Sequence, residues 1–238
     1  MKNKTIGIIG AMDCEVARLR DKLTETETVE SGIITVYKGK ISGHDIILVQ
    51  SGVGKANAAL CTQYIIDNFK PDYIINTGVA GGIGDNLSVG DIVVGQSLVQ
   101  YDFDASVLGY AKGYMCTGHD KDKPTMFYSD ETLIKAFEKA IKKSVPEVKI
   151  HKGIIATGDC FISDTNKKKE IKETFNALAV EMEGAAIAQA SYMNSVPCLI
   201  IRALSDLADG TATESLSEFE TKMAEVSSSA ISVLIENL

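Results

Sequence analysis

The feature that most constrains the fold is a regular alternation of short apolar runs with longer segments of helical periodicity. Thr5–Gly10 has the composition of a buried strand, and a helical pattern over Glu15–Leu23 follows it. The alternation continues along all 238 residues without a low-complexity linker or an internal repeat. It predicts a single α/β domain over residues 1–238, with a central mixed, mostly parallel, twisted sheet flanked by helices.

The same patterns predict the remaining elements. Apolar runs predict strands at Ile34–Tyr37, Asp45–Gln50, Tyr73–Asn76, Asp91–Gly95, Gly153–Thr157, Ala177–Val180 and Pro197–Ala203. Helical spacing predicts helices at Lys55–Phe69, Ser129–Lys143, Gly184–Met193 and Leu216–Val233, with Ser129 as the N-cap of the second. Because ligands bind beyond the carboxyl ends of strands in such sheets, functional residues are expected directly after the strands.

The charge balance excludes some classes of partner. A formal net charge of −8 argues against nucleic acid or an anionic membrane, since both reward clustered Lys and Arg. The one basic cluster, Lys167–Lys169, is followed by Glu170 and Lys172, which indicates a solvated helix face. No apolar run reaches the length of a membrane span.

The cysteines and histidines are too dispersed for a metal site. The chain has 5 Cys and 3 His, without a CxxC pair or HExxH spacing, so neither a disulfide framework nor a zinc site is indicated. The apolar run at Thr5–Met12 is short and lacks a cleavage site of small residues. We therefore expect no metal, no organic cofactor and a cytoplasmic location.

Three glycine clusters resemble nucleotide-binding motifs without matching them. Gly7–Gly10 lacks the GxGxxG spacing of a dinucleotide site. Gly52–Lys55 resembles half of a phosphate loop, but Ala56 stands where Ser or Thr would hold magnesium. Gly82–Gly84 is followed at the required position by Leu87. Tight turns explain these glycines better than NAD binding or ATP hydrolysis.

Four segments after predicted strands carry polar groups that a structural loop does not need. They are Gly10–Glu15, Asn76–Gly82, Val180–Glu183 and Arg202–Asp206. With their neighbours they contain, in order, GIIGAM, SGVGKANAA, NTGVAGG, VGDIVV, TGDCFI, VEMEGAAIA and RALSD. This series resembles the nucleoside phosphorylase/nucleosidase superfamily over nearly the whole chain, and most closely its 5′-methylthioadenosine/S-adenosylhomocysteine nucleosidase family.

The resemblance implies hydrolysis of the N-glycosidic bond of these nucleosides, and also of 5′-deoxyadenosine. Cleavage places positive charge on the ribose and negative charge on the leaving base, so carboxylates near the sugar and an acid near the base would favour it. Glu15 is expected to activate water, and Asp206, oriented by Ser205, to protonate adenine. Glu183 should bind the ribose hydroxyls.

The resemblance also implies roles for further residues around the substrate. Met182 should pack on the sugar, and Phe161 should stack on adenine beside the backbone of Ile162. Arg202 should help to position the water and the carboxylates. The remaining substrate-binding residues by this resemblance are Ala80, Gly81 and Glu181.

We expect the nucleophile to be water and not phosphate, because of the charges in the first loop. Phosphorylases of the superfamily typically bring an arginine into the first loop, whereas Ala11–Glu15 carries two carboxylates and no cation before Arg18. Like charges at a few ångströms would repel a phosphate dianion.

Three residues depart from the nucleosidase pattern: Val79 where Ser is common, Leu216 where a lid phenylalanine is common, and Cys116 in the 5′-thioalkyl segment.

The resemblance further implies a homodimer, with Leu108 and Tyr110 of a neighbouring subunit lining the 5′-thioalkyl pocket.

Other functions stay open within the same fold. An aminodeoxyfutalosine nucleosidase is nearly indistinguishable by motif, and a purine nucleoside phosphorylase is a further alternative. A catalytically idle nucleoside-binding protein would not need the acidic residues Glu15, Glu183 and Asp206.

Overall fold

The computed structural model describes residues 3–32, 34–116, 120–208 and 216–238, with only the backbone described for 216–224. Its strands are β1 Thr5–Gly10, β2 Thr24–Ser31, β3 Ile34–Ile41, β4 His44–Gln50, β5 Tyr73–Asn76, β6 Val79–Gly82, β7 Ile92–Gln100, β8 Phe127–Tyr128, β9 Ile150–Thr157, β10 Ala177–Glu181 and β11 Cys198–Asp206. Its helices are α1 Asp13–Arg20, α2 Lys55–Phe69, α3 Glu131–Ser144, α4 Thr165–Phe175, α5 Gly184–Met193 and α6 Leu216–Ile235. Within this part of the chain, no helix is both long enough and apolar enough to cross a membrane.

The strands form one mixed sheet in the order β2-β3-β4-β1-β5-β11-β6-β10-β9-β7-β8. The pairs at its centre are parallel, β1 with β4 and β5, and β11 with β5 and β6. Strands β2, β3 and β4 form an antiparallel meander. The predicted fold class, a single-domain α/β fold with a mixed sheet flanked by helices, is confirmed.

Strand β11 pairs with three different strands along its length. Cys198–Ile200 pairs with β5, Ile200–Ala203 runs antiparallel to β7, and Ala203–Asp206 pairs with β6. The second of these pairings closes β11, β6, β10, β9 and β7 into a ring. The strand that ends in Asp206 is therefore paired along its whole length.

Apolar side chains cover both faces of the sheet, as expected of strands that are buried on both sides. In β1, Ile6 and Ile8 pack with α1, α3 and α6, whereas Ile9 faces the opposite layer of α2 and α5. A smaller cluster packs α4 against β9 and β10 through Ile171 and Phe175. The two layers fix the strands, and hence the loops at their carboxyl ends.

The structure corrects one capping prediction and adds elements that the patterns did not reveal. Asp130, and not Ser129, is the N-cap of α3, since its Oδ1 accepts hydrogen bonds from Thr132 N at 2.9 Å and Leu133 N at 3.0 Å. The Ser129 hydroxyl instead accepts a hydrogen bond from Ile200 N on β11 at 3.2 Å. Strands β2, β6 and β8 were not predicted.

Candidate active site

A cavity of about 230 Å³ lies at the carboxyl ends of β1, β10 and β11, beside β6. It is lined by Ala11, Met12, Glu15, Val53, Val79, Ala80, Gly81, Phe161, Val180, Glu181, Met182, Glu183, Ser205 and Asp206. A recess of about 40 Å³ adjoins it and adds Cys160 and Ile162 to the lining. The cavity is therefore built from the four segments that follow predicted strands and from the loops next to them.

The structure brings together the residues that the sequence singled out. Glu15, Ala80, Gly81, Phe161, Glu181, Met182, Glu183, Ser205 and Asp206 line the main cavity, and Ile162 lines the recess. Arg202 is buried behind them. Leu108 and Tyr110 are not among the described lining residues, and the Leu108 side chain is 71% exposed. The side chain of Leu216 lies outside the described residues, and Cys116 is exposed.

Glu15 is held by three backbone N–H groups. Its Oε2 accepts hydrogen bonds from Ala11 N at 2.6 Å and Met12 N at 3.0 Å, and its Oε1 accepts one from Val79 N at 3.1 Å. Gly78 allows this approach, because a Cβ there would lie 2.5 Å from Glu15 Oε1. The buried carboxylate is therefore oriented by fixed donors in the turn between β1 and α1 and at the first residue of β6.

Glu181 and Arg202 form the buried support of the cavity. Arg202 is 1% exposed, and its Nε donates to Glu181 Oε2 at 3.1 Å, with Nη2 donating to the same oxygen. Thr157 Oγ1 donates to Glu181 Oε1. Burial alone would lower the pKa of Arg202, but the carboxylates of Glu181, Glu183 and Glu15 raise it above its ordinary value. The buried guanidinium is thus paired with Glu181 and bonded to the carbonyl of Ile201, which compensates its removal from water.

Glu183 stands at the N-cap of α5 and faces the cavity. Its Oε1 accepts a hydrogen bond from Gly54 N at 2.8 Å, and its Oε2 lies 3.8 Å from Arg202 Nη2. Burial raises the pKa of Glu183 to about 7 and the negative Glu181 adds to the rise, while Arg202 and the Gly54 N–H act against it. Glu183 therefore changes charge near neutral pH.

Asp206 is the last residue of β11 and lines both the cavity and the recess. Ser205 Oγ donates to its Oδ2 at 2.8 Å, and Ala208 N donates to its Oδ1 at 2.7 Å. The carbonyl of Leu207 accepts a hydrogen bond from Lys168 Nζ. The basic cluster at Lys167–Lys169 is thus not only a solvated helix face, because one of its lysines anchors the turn that holds Asp206.

Several groups that shape the site were missed by the sequence patterns. Gly54 and Ala208 act through backbone N–H groups, Gly78 through its missing side chain, and Thr157 through its hydroxyl. Gly54, Gly78 and Thr157 lie inside the motifs SGVGKANAA, NTGVAGG and TGDCFI, but the motifs alone indicate no role for these three residues, and Ala208 lies in none of them. Backbone donors leave no residue type to recognise, so they emerge only from the tertiary structure.

The charges around the cavity favour a developing positive charge. Glu15, Glu181, Glu183 and Asp206 line it, and the lining of the described chain includes no lysine or arginine. Among the described residues, no group of His, Cys, Asp and Glu side chains could hold a metal ion. The arrangement brings several oriented acidic side chains around one cavity, which suits acid–base cleavage of a bond to a sugar.

The fold and this acidic cavity define a class, and the chain belongs to the phosphorylase superfamily, whose family model matches residues 5–238. A relative from Staphylococcus haemolyticus, a 5′-methylthioadenosine/S-adenosylhomocysteine nucleosidase, is 43% identical over 234 residues, which cover 98% of this chain and 100% of the relative. Within the superfamily, the chain belongs to this nucleosidase family.

Solved structures agree with this placement. The nucleosidase of the same name from Neisseria meningitidis, in complex with methylthio-immucillin-A, superposes with a TM-score of 0.92 at 38% identity, covering 99% of this chain and 100% of that one. A futalosine hydrolase mutant from Helicobacter pylori superposes with a TM-score of 0.91 at 28% identity, with coverage of 99% and 100%. The fold is thus shared by enzymes named for different nucleosides.

Proposed function

We propose that this chain is a single nucleosidase domain over residues 1–238 that hydrolyses 5′-methylthioadenosine and S-adenosylhomocysteine, and also 5′-deoxyadenosine, to adenine and the ribose product. The family relationship supports the substrates. The observation that carries the chemistry is the meeting of Glu15, Glu183 and Asp206 around one cavity. No cofactor is needed, because acid, base and sugar-binding carboxylate all come from the chain.

The reaction divides among these three carboxyl groups. Asp206 gives its proton to an imidazole-ring nitrogen of adenine as the N-glycosidic bond breaks and its electron pair leaves with the base. Glu15 takes a proton from the water whose oxygen bonds to the anomeric carbon. Glu183 accepts hydrogen bonds from the ribose hydroxyls, and its negative charge stabilises the positive charge that develops on the ribose ring. Adenine stacks on Phe161 beside Ile162, and Met182 packs on the sugar.

The donors near Glu15 support water over phosphate as the nucleophile. The N–H groups of Ala11, Met12 and Val79 are all directed to the Glu15 carboxylate, so they are not available to an anion. The Arg202 guanidinium donates to Glu181 and to the carbonyl of Ile201. A phosphorylase needs free hydrogen-bond donors to hold its phosphate, and these donors are already engaged.

The direct test is adenine release from purified protein, measured with and without inorganic phosphate. We expect equal rates in both conditions and free ribose product, with 5′-methylthioadenosine and S-adenosylhomocysteine far better than adenosine. Strict dependence on phosphate, or formation of a ribose 1-phosphate, would identify a phosphorylase. Binding of the nucleosides without release of adenine would indicate a storage protein.

Aminodeoxyfutalosine hydrolysis is the second candidate, supported by the likeness to the futalosine hydrolase structure. The lower identity, 28% against 43% for the Staphylococcus haemolyticus nucleosidase, favours the first candidate. Both reactions would use the same three carboxyl groups. Competition between the two substrates in one assay, compared by kcat/KM, decides between them.

A homodimer would complete the 5′ side of the pocket with Leu108 and Tyr110 of a neighbouring subunit. Val107 and Leu108 are 91% and 71% exposed, which suits apolar side chains that a second copy would cover. Sedimentation of wild-type protein should give twice the chain mass, and Leu108→Asp should raise KM for the thioalkyl nucleosides. A monomer with full activity would contradict this proposal.

A cytoplasmic location is proposed on chemical grounds. Cys61, Cys116, Cys160 and Cys198 form no disulfide, although Cys116 and Cys160 are exposed. Such thiols suit a reducing compartment. The proposed partner is the small-molecule nucleoside, and the acidic balance of the chain offers little to nucleic acid or to an anionic membrane.

Glu183 should give both activity and stability a pH dependence. Its pKa is raised to about 7, so kcat/KM should rise as pH increases through 7 and the carboxylate becomes ionised. A carboxyl group whose pKa is raised in the folded state binds its proton more tightly there, so its stabilising contribution is lost as pH rises from its unfolded value through 7. Glu183→Gln should therefore be inactive at pH 8 yet unfold at a higher temperature than wild type.

The comparison of Glu183→Gln with wild type uses thermal melts at pH 5 and pH 8. The two proteins should differ less at pH 5, where the wild-type carboxyl group is protonated and resembles the amide. Equal melting differences at both pH values would show that Glu183 does not titrate between them.

A further inference from the structure

A polar cluster outside the acid–base machinery lies at the start of α2. Lys55 Nζ contacts Asp102 Oδ1 at 2.6 Å and Asp159 Oδ2 at 3.9 Å. The same two aspartates are joined to each other, because Asp159 N donates to Asp102 Oδ2 at 2.9 Å. Lys55 N donates to Asp159 Oδ1 at 2.8 Å. We name Lys55, Asp102 and Asp159 the α2 cluster.

The α2 cluster ties together three segments that are distant in sequence. Lys55 begins α2, Asp102 follows β7, and Asp159 follows β9. The Lys55 side chain is 18% exposed and that of Asp102 is 28% exposed, so this ion pair is better shielded from water than an ordinary surface pair. Two hydrogen bonds from backbone N–H groups and the Lys55–Asp102 ion pair close on one another, which fixes the geometry of all three segments.

One side of the α2 cluster leads to Glu183. Gly54, the residue before Lys55, donates its N–H to Glu183 Oε1 at 2.8 Å. Gly54 has a φ of +99°, and a Cβ there would lie 3.2 Å from Asp159 Oδ1. The first two N–H groups at this end of α2 are thus divided between Glu183 and Asp159. Movement of Asp159 would release the backbone that orients Glu183.

The other side leads to the base-binding wall. Asp159 is held through both its backbone N–H and its carboxylate, and it lies two residues before Phe161. The next two residues in the chain, Cys160 and Phe161, line the recess, and Phe161 also lines the main cavity. Phe161 is itself 61% exposed, so its position depends on the segment that carries it.

We infer that the α2 cluster is a set of positioning residues that presents the Gly54 N–H to Glu183 and places Phe161, so that ribose and base are gripped together. This inference rests on the proposed function. None of the three side chains lines the cavity among the described residues. Lys55 is the central member, because its ammonium group separates two carboxylates that would otherwise repel each other.

The test is Lys55→Met, which keeps the length of the side chain and removes its charge. Losing the Gly54 N–H hydrogen bond to the Glu183 carboxylate corresponds to about a tenfold change in an equilibrium constant. We therefore expect KM for 5′-methylthioadenosine to rise about tenfold. At a pH above the acidic limb of the profile, kcat should change by less than about threefold, because Glu15 and Asp206 are untouched and Glu183 keeps its negative charge. Lys55→Arg should restore KM, since the guanidinium keeps the charge.

A second readout separates positioning from simple loss of folded protein. Glu183 faces Glu181 on β10, Arg202 on β11, Glu15 on α1 and the Gly54 N–H, and the Gly54 N–H favours its charged form. If Gly54 withdraws in Lys55→Met, the acidic limb of the pH profile of kcat/KM should move to higher pH. Asp102→Asn should move the same limb in the same direction.

The matched control is Lys38→Met, which removes an ion pair of equal length, 2.6 Å to Glu27, on the β2–β3 hairpin. It should leave KM and the pH profile unchanged. Unchanged KM and an unmoved acidic limb in Lys55→Met would overturn the inference, as would a fall in kcat alone that matches the fraction of folded protein. Failure of the wild-type protein to release adenine would instead refute the proposed function.

Discussion

Replacing Asp206 with Asn should lower kcat for 5′-methylthioadenosine by about a thousandfold, because general acids contribute on the order of 10² to 10⁴ in rate. The fold should survive the change. An Asn side chain keeps an oxygen for the Ala208 N–H, and the Ser205 hydroxyl can rotate to accept from the new amide. Steady-state kinetics and a thermal melt on the same preparation check both expectations.

The leaving group provides a sharper test of the Asp206 role. In a substrate that carries a nitrophenyl ether in place of adenine, the leaving group is nitrophenolate, which departs without a proton. Asp206→Asn should therefore cleave this substrate at nearly the wild-type rate. Asp122→Asn, at a residue whose side chain is 74% exposed, serves as the control and should affect neither substrate. An equal loss on both substrates would show that Asp206 does something other than protonate the base.

The second large effect is expected from Glu15→Gln. The carboxylate now accepts three N–H donors, from Ala11, Met12 and Val79, and it would also take the proton of the attacking water. An amide can turn only one oxygen toward these donors, so its NH₂ group must face an N–H. We expect kcat to fall by about a thousandfold or more, with a loss of about 1–3 kcal/mol in stability from the unmatched donor.

Binding should be less affected than turnover in Glu15→Gln, because Glu183 and Phe161 remain in place. Calorimetric titration with 5′-methylthioadenosine should therefore show binding within about tenfold of that of a slow variant with an intact base, such as Asp206→Asn. Glu173→Gln on the exposed face of α4 is the matched control for the substitution itself. Near-wild-type turnover in Glu15→Gln would remove Glu15 from the reaction.

The sequence predicted the central fold well because its strands are apolar and bounded by turns. It failed where burial leaves no pattern. Strand β2 reads TETETVES and is mostly exposed, so it shows no apolar face. Strand β6 is only four residues long and half glycine, and it resembles a loop until it pairs with β10 and β11.

The candidate site was predictable to a similar degree. Glu15 and Glu183 follow β1 and β10, and Asp206 ends β11, and the carboxyl ends of parallel strands meet at one edge of a sheet. The contact between Gly54 and Glu183 joins residues 129 apart in the chain. The α2 cluster likewise depends on how three loops are placed by the packing, which no local pattern encodes. Charge and order of motifs predict the chemistry, whereas the supporting contacts require coordinates.

The three-way pairing of β11 has a consequence for how the protein loses activity. The strand carries Arg202, Ser205 and Asp206, and its amides are shared among β5, β6 and β7. Its central N–H groups can exchange with solvent only when several neighbours separate together, which makes local opening there as rare as global unfolding. Heat or denaturant should therefore abolish catalysis in the same cooperative transition that melts the sheet, without an earlier phase in which the intact fold is inactive.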